Sequence, residues 1–228
     1  MENMPFENWE TLATAIQSCN NSCVFRNPNI PPLAPKEVRV PVPVMFIGEN
    51  PSWAEEQREP FAPGTVSGDA LENHYLKPLK LHRDEVWITD LIKCRYPSKN
   101  KWPGYPKDIY KDKTKYAEDI QEVAQQCSTL WLVKEIELAR PKILVTLSNT
   151  QVYQQFRRIF RLRVPRSFKD AVGRRHDIEV EGFSTILFPM VHPDVSRPEG
   201  DGDNRKLNVR MKWAPLHRNH IETLKQLL

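Results

Sequence analysis

Four short apolar runs constrain this chain most: Val44-Met45-Phe46-Ile47, Val86-Trp87-Ile88-Thr89, Ile143-Leu144-Val145-Thr146-Leu147 and Thr185-Ile186-Leu187-Phe188. None alternates with polar residues. A strand is apolar on both sides only where both faces of its sheet are covered, as in parallel sheets flanked by helices. The segments between the runs have helical character. Residues 7–17 carry Trp9, Leu12 and Ile16, and residues 116–139 carry Ile120, Val123, Cys127, Leu130, Val133 and Ile136 at helical spacing. Residues 67–79 begin like a helix with Ser67 or Asp69 near its start, and helices are also expected over 150–160 and 216–227. The expected fold is α/β: a three-layer α/β/α sandwich with a central, mainly parallel four-stranded sheet. At 228 residues with 39% apolar content the chain suits one core, so a single domain is expected over 1–228. Residues 27–43 are proline-studded and read as an extended connection. Residues 96–115, polar and aromatic, read as an insertion.

Three of the runs deliver polar motifs: Gly48-Glu49-Asn50-Pro51-Ser52, Lys93-Cys94-Arg95 and His192-Pro193-Asp194. The C-terminal edge of a parallel sheet is where open α/β folds place a ligand. The net charge of +4 proves no partner by itself. Its distribution says more, because residues 157–175 hold eight basic side chains against one acid, Asp170. A second basic stretch over 93–113 is interleaved with Tyr96, Trp102, Tyr105 and Tyr110. Basic stripes with aromatics are the footprint of a phosphate-backbone binder; a solvated charged face is the plain alternative for either stretch alone. No run approaches the roughly 18 apolar residues of a membrane span. The acidic N-terminus lacks a basic-then-apolar leader, so a cytoplasmic, intracellular location is expected.

Four cysteines remain: Cys19, Cys23, Cys94 and Cys127. In a reducing compartment such a set points to metal or redox chemistry rather than to disulfides. It is able to hold zinc or an iron–sulfur cluster, and spacing does not separate the two. Cys94 and Cys127 also read as small core residues.

Motifs and cysteines together resemble the uracil-DNA glycosylase superfamily, most closely the family 4 type that carries a four-iron, four-sulfur (4Fe-4S) cluster. The likeness runs from about residue 19 to residue 197. The family's Gly-Glu-(Ala/Gly)-Pro-Gly is matched by Gly48-Glu49-Asn50-Pro51-Ser52, and its acidic stretch and Pro-Phe-x-Gly by Glu55-Glu56 and Pro60-Phe61 with Gly64. Its Ile-Thr-Asn-x-x-Lys-Cys-Arg is matched by Ile88-Thr89-Asp90-Leu91-Ile92-Lys93-Cys94-Arg95, and its His-Pro-Ser-x-x-Arg by His192-Pro193-Asp194-Val195-Ser196-Arg197. Three departures stand out. The cysteine pair is one residue wider than usual, the Cys94-to-Cys127 segment is longer, and Asp90 replaces the Asn that reads the uracil edge.

The resemblance implies a monofunctional DNA N-glycosylase of base excision repair that flips a deaminated base, most simply uracil, out of DNA and hydrolyses its glycosidic bond. His192 would donate to the base O2, with Glu49 and Asn50 holding the water or supporting the sugar cation. Phe61 would stack on the extruded base, Asp90 would meet its edge, and Gly48 and Ser52 would shape the pocket. Lys93, Arg95, Pro193, Val195 and Arg197 would meet DNA, Val195 as a minor-groove wedge. Cys19, Cys23, Cys94 and Cys127 would ligate a structural cluster, with residues 1–43 as helix and cluster-binding segment. The implied partner is DNA containing uracil or another deaminated base, met by a nucleoid-associated monomer without a membrane.

Asp90 leaves three outcomes open: a neutral acid in a uracil enzyme, an altered base preference, or weakened catalysis. The alternative function is therefore a catalytically weak or altered-specificity nucleic-acid-binding relative. A zinc-stabilised interaction module is a third class.

Overall fold

In the computed structural model three strands are wholly buried and parallel: β1 (Val44–Gly48), β2 (Trp87–Asp90) and β3 (Ile143–Thr146). The description covers residues 8–21, 23, 24, 26, 27, 30–51, 59–95, 113–148, 152–196 and 204–228, without the side chains of 113–116 and 204–211. Alternate side chains of each strand enter opposite cores, as the two-residue period of a strand requires. Met45, Ile47, Trp87 and Leu144 pack with Leu12 and Ile16 of α1 (Trp9–Gln17), Val123 of α4 (Lys113–Cys127), Ile136 of α5 (Val133–Ala139), Phe156 of α6 (Gln154–Ile159) and Phe168 of α7 (Phe168–Ala171). Val44, Phe46, Ile88 and Val145 pack with Leu71 of α2 (Val66–Leu71), Leu79 of α3 (Lys77–Leu79) and Ile221 and Leu224 of α9 (Asn204–Leu227). That is the expected three-layer sandwich. π-helical turns, Glu72–Leu76 and Ser128–Leu132, join α2 to α3 and α4 to α5.

Among the described residues the sheet has five strands, not four: β4 (His176–Val180) and β5 (Phe183–Leu187) complete the order β2-β1-β3-β5-β4. The added strand, β4, pairs antiparallel with β5 at the edge. Its Asp177 and Glu179 face solvent while Val180 is buried, the alternation of an edge strand wet on one side. The turn between them has Glu181 and Gly182 at φ of +47° and +81°. Two consecutive left-handed residues make the hairpin turn that matches strand twist, and glycine takes the second position without strain.

Other boundaries shift. Thr65, not Ser67 or Asp69, caps α2, its hydroxyl accepting from the Gly68 N–H at 3.0 Å. The closing helix begins at Asn204, not near 216. Most of the expected 96–115 insertion lies outside the described residues; residues 113–115 belong to α4. Among the described residues, no helix is long and apolar enough to cross a membrane.

Candidate active site

The strand ladder continues past the ends of the strands and pins the motif loops to one edge. Leu91 and Ile92 N–H donate to the Gly48 and Glu49 carbonyls, both at 2.9 Å. Across the sheet Met190 N–H donates to Thr146 O at 2.9 Å and Ser148 N–H to Met190 O at 3.0 Å. The loops after β1, β2, β3 and β5 are therefore held side by side.

Gly48 pairs in register with Asp90. A Cβ on Gly48 would lie 2.2 Å from Asp90 Oδ1 and 2.5 Å from Cε2 of the Phe61 ring. Only a residue without a side chain lets carboxyl and ring close over the strand end. Phe61 is 8% exposed and holds a left-handed φ of +51°. Such strain persists where the surroundings impose it. Here the Arg83 guanidinium donates to the Phe61 carbonyl. Arg83 itself is held by Glu59 at 3.6 Å and Glu72 at 3.7 Å. Nothing in the sequence marked Arg83 for this role.

The Phe61 ring faces His192, with centroids 6.0 Å apart and planes inclined by 38°. His192 is half-buried, and its Nδ1 accepts the Asp194 N–H at 3.2 Å. An accepting Nδ1 leaves the proton of a neutral ring on Nε2. The loop is fixed from both sides: Tyr75 Oη donates to Val191 O, and Ser67 Oγ donates to Asp194 Oδ1 at 3.2 Å. Pro193 and Ser196 of α8 (Pro193–Ser196) are buried, and Val195 is partly buried against the core. Pro193, expected as a DNA contact, is thus a buried residue of this turn. Val195 is likewise committed in part to the core rather than projecting freely. Ser52 and Arg197 lie outside the described residues, as does the Glu55-Glu56 motif.

Glu49 and Asn50 follow β1 at the same edge, both half-buried, and Asn50 Nδ2 donates to Pro51 O at 3.0 Å. Asp90 is 2% exposed. Burial above all, with Glu135 and Glu49 adding to it against the opposing charge of Lys93, raises its pKa to about 7.

Lys93, expected to meet DNA, is 1% exposed. Its ammonium donates to Thr89 Oγ1 at 2.7 Å and to the Asp90 carbonyl at 2.6 Å, and lies 2.6 Å from Glu135 Oε1. Trp87 Nε1 donates to the other Glu135 oxygen at 3.2 Å. Lys93 is thus a buried strut, corrected from a phosphate contact, and is unable to reach a phosphate. Arg95, two residues on, is half-buried.

The next residue along from Lys93, Cys94, opens the second part of the site. Cys19, Cys23, Cys94 and Cys127 line one cavity with Arg26, Gln126 and Trp131. A hydrogen bond with Cys23, then burial and the nearby Cys127, holds the Cys94 thiol above its ordinary range. Burial foremost, with Cys23 and Cys19 contributing, raises Cys127 to about 11. Four soft donors that sense one another suit a thiophilic centre, whose charge would favour the thiolates. Among the described residues no group of three or more His, Cys, Asp or Glu is placed to hold a metal ion directly. The segment around the cavity is tied within itself and to the loop after β2: Arg26 Nε donates to Cys19 O at 2.8 Å and Leu33 N–H to Lys93 O at 2.8 Å.

The segment that carries the basic residues 157–175 starts and finishes at this edge. β3 ends here, and β4 starts with His176 opposite Leu187, the last residue of β5. The connection therefore leaves and returns on the side of His192. Arg158, Arg161, Arg163, Arg166, Lys169, Arg174 and Arg175 are exposed and Arg157 is half-buried.

The edge thus offers an aromatic face, an imidazole and a buried carboxyl, with a basic segment that begins and ends on the same side, a set able to hold a flat polar ring. The sequence matches the profile of the uracil DNA glycosylase superfamily over residues 35–203. It is 27% identical over 219 residues to the type-4 uracil-DNA glycosylase of Saccharolobus solfataricus, covering 92% of this chain and 89% of that protein. It is 28% identical over 154 residues to the type-4 uracil-DNA glycosylase of Sulfurisphaera tokodaii, covering 66% of this chain and 59% of that one. The protein of the same name from Archaeoglobus fulgidus is 25% identical over 151 residues, covering 66% and 64%. With the profile spanning well over half its length, the chain belongs to the uracil DNA glycosylase superfamily.

Proposed function

We propose that this protein removes uracil from DNA by hydrolysing its N-glycosidic bond, leaving an abasic site. One observation carries the reading: Phe61 and Asp90 close over the side-chain-free Gly48 at the sheet edge, and His192 stands across the Phe61 ring. A base in a duplex must leave the stack to be reached, and an aromatic face supports it once extruded. Bond cleavage places negative charge on the base O2 and positive charge on the sugar. His192, with Nδ1 occupied by the Asp194 amide, would present Nε2–H to O2 as that charge grows. Glu49 and Asn50, at the end of β1, would position the water, and the Glu49 carboxylate would also favour the sugar cation.

The four cysteine thiols would hold a four-iron, four-sulfur cluster as a structural element pinning the N-terminal segment to β2 and α4. Hydrolysis needs no electron transfer, so the cluster would supply rigidity only. Anaerobically purified protein is expected to be brown and to contain iron; a colourless zinc protein would reject the cluster.

The exposed cations of 157–175 would follow the phosphate backbone beside the lesion. Replacing Arg158, Arg161 and Arg163 together by alanine is expected to lower the slope of log K against log salt for duplex binding by about 2–3. An unchanged slope would return this stretch to a merely solvated face. The function itself is tested by whether free uracil leaves a uracil-containing oligonucleotide, with Asn50→Ala and Glu49→Gln proteins alongside. Undiminished release by both variants would remove the assigned water-holding roles.

A further inference from the structure

Resting on the uracil reading above, we propose that Asp90 meets the extruded base as an undissociated carboxylic acid, one oxygen donating a hydrogen bond and the other accepting one. Both carboxyl oxygens are buried, and neither has a hydrogen-bond partner among the described residues. A buried carboxylate without donors is among the costliest groups a protein can hold, whereas the neutral acid carries one donor and one acceptor that a ligand satisfies.

The groups packed around Asp90 favour the neutral acid on balance, with Lys93 alone opposing it among the charges that act on it. Lys93, the cation nearest in sequence, aims its ammonium at the Asp90 backbone carbonyl, Thr89 and Glu135. From α5 comes Glu135 and from the end of β1 comes Glu49, both acids opposing a further negative charge. Across the Phe61 ring stands His192, whose Nδ1 is already an acceptor. Burial, with Glu135 and Glu49 adding to it against the opposing charge of Lys93, brings the Asp90 carboxyl to a pKa of about 7.

The Watson–Crick edge of uracil sets a carbonyl acceptor, O4, beside a donor, N3–H. An undissociated Asp90 matches both at once. Its ionised form would accept from N3–H while turning lone pairs on O4, so base reading fails when the proton leaves. The folded-state pKa is raised, so the competent form predominates below about pH 7 and is lost as pH rises through that value. The quantity kcat/KM reports the free enzyme and therefore this ionisation.

The test is kcat/KM for uracil release from a duplex oligonucleotide between about pH 5.5 and 9, in the full-length protein and in Asp90→Asn. The wild-type profile should fall about tenfold per unit on the alkaline side, about 100-fold two units above the midpoint. In Asp90→Asn the ratio of rates between neutral and alkaline ends should approach one, because an amide carries its donor and acceptor at every pH. A wild-type profile flat to the alkaline limit, or an equal fall in Asp90→Asn, overturns the proposal.

Should Asp90→Asn be inactive or unfolded, calorimetric binding of free uracil to the wild-type protein decides the matter. Affinity should weaken about tenfold per unit on the alkaline side, and pH-independent affinity overturns the proposal. A protein that binds free uracil with this pH dependence but releases none from DNA would support the undissociated acid while rejecting the hydrolytic reading.

Discussion

Replacing His192 by alanine is expected to slow uracil release about 100- to 1,000-fold, the effect of removing one donor aimed at a developing oxyanion. The loss should fall on kcat more than on KM, because the Nε2–H bond strengthens only as charge arrives at the base O2. The surrounding geometry sharpens the expectation. The Asp194 amide occupies Nδ1, Ser67 holds Asp194, and Tyr75 holds the Val191 carbonyl, so the ring is aimed by groups that remain when it is removed. Single-turnover release from a uracil-containing duplex measures the effect, with duplex affinity measured in parallel. Equal losses in binding and release would mean that His192 only helps to hold DNA.

The second large effect concerns stability. Replacing Glu135 by alanine should destabilise the protein by about 3–5 kcal/mol, because it strands the Lys93 ammonium in the core. In a chain of this size that lowers Tm by roughly 6–20 °C. Replacing Lys93 and Glu135 together, by methionine and leucine, should recover much of the loss, since a well-packed apolar pair is often as stable as a buried ion pair. Thermal unfolding of the two single variants and the double variant completes the cycle. A Lys93→Met protein with unchanged Tm but a reduced salt slope for DNA binding would restore Lys93 as a phosphate contact.

Lys93 also shows where sequence reading stops. Beside Cys94 and Arg95, at the head of a basic stretch, it read as a surface cation. Its ion partner lies on α5, far along the chain, and Glu135 carries no local mark of burial. β1, β2 and β3 were legible because strands covered on both faces must be apolar throughout, and β5 through the Ile186-Leu187-Phe188 run at its end. β4 was not, because an edge strand wet on one side alternates polar and apolar residues over too few positions to stand out. The Glu181-Gly182 turn was its one available signal. Motif order located Gly48, Phe61, Asp90 and His192 along the chain. That Phe61 bridges Gly48 and Asp90 to His192 depends on strand register and on a left-handed Phe61 held by Arg83, which spacing does not reveal. Nor did the sequence show that both oxygens of Asp90 would lack partners among the described residues, a property of the folded surroundings alone.

The most direct measurement is product analysis on a duplex bearing a single uracil, incubated with the purified protein. Free uracil should appear in step with alkali-labile sites, while the strand stays whole until base is added. Tight binding of that duplex with no uracil in solution would contradict the account: the ring at 61, the imidazole at 192 and the acid at 90 would then grip DNA without breaking its glycosidic bond.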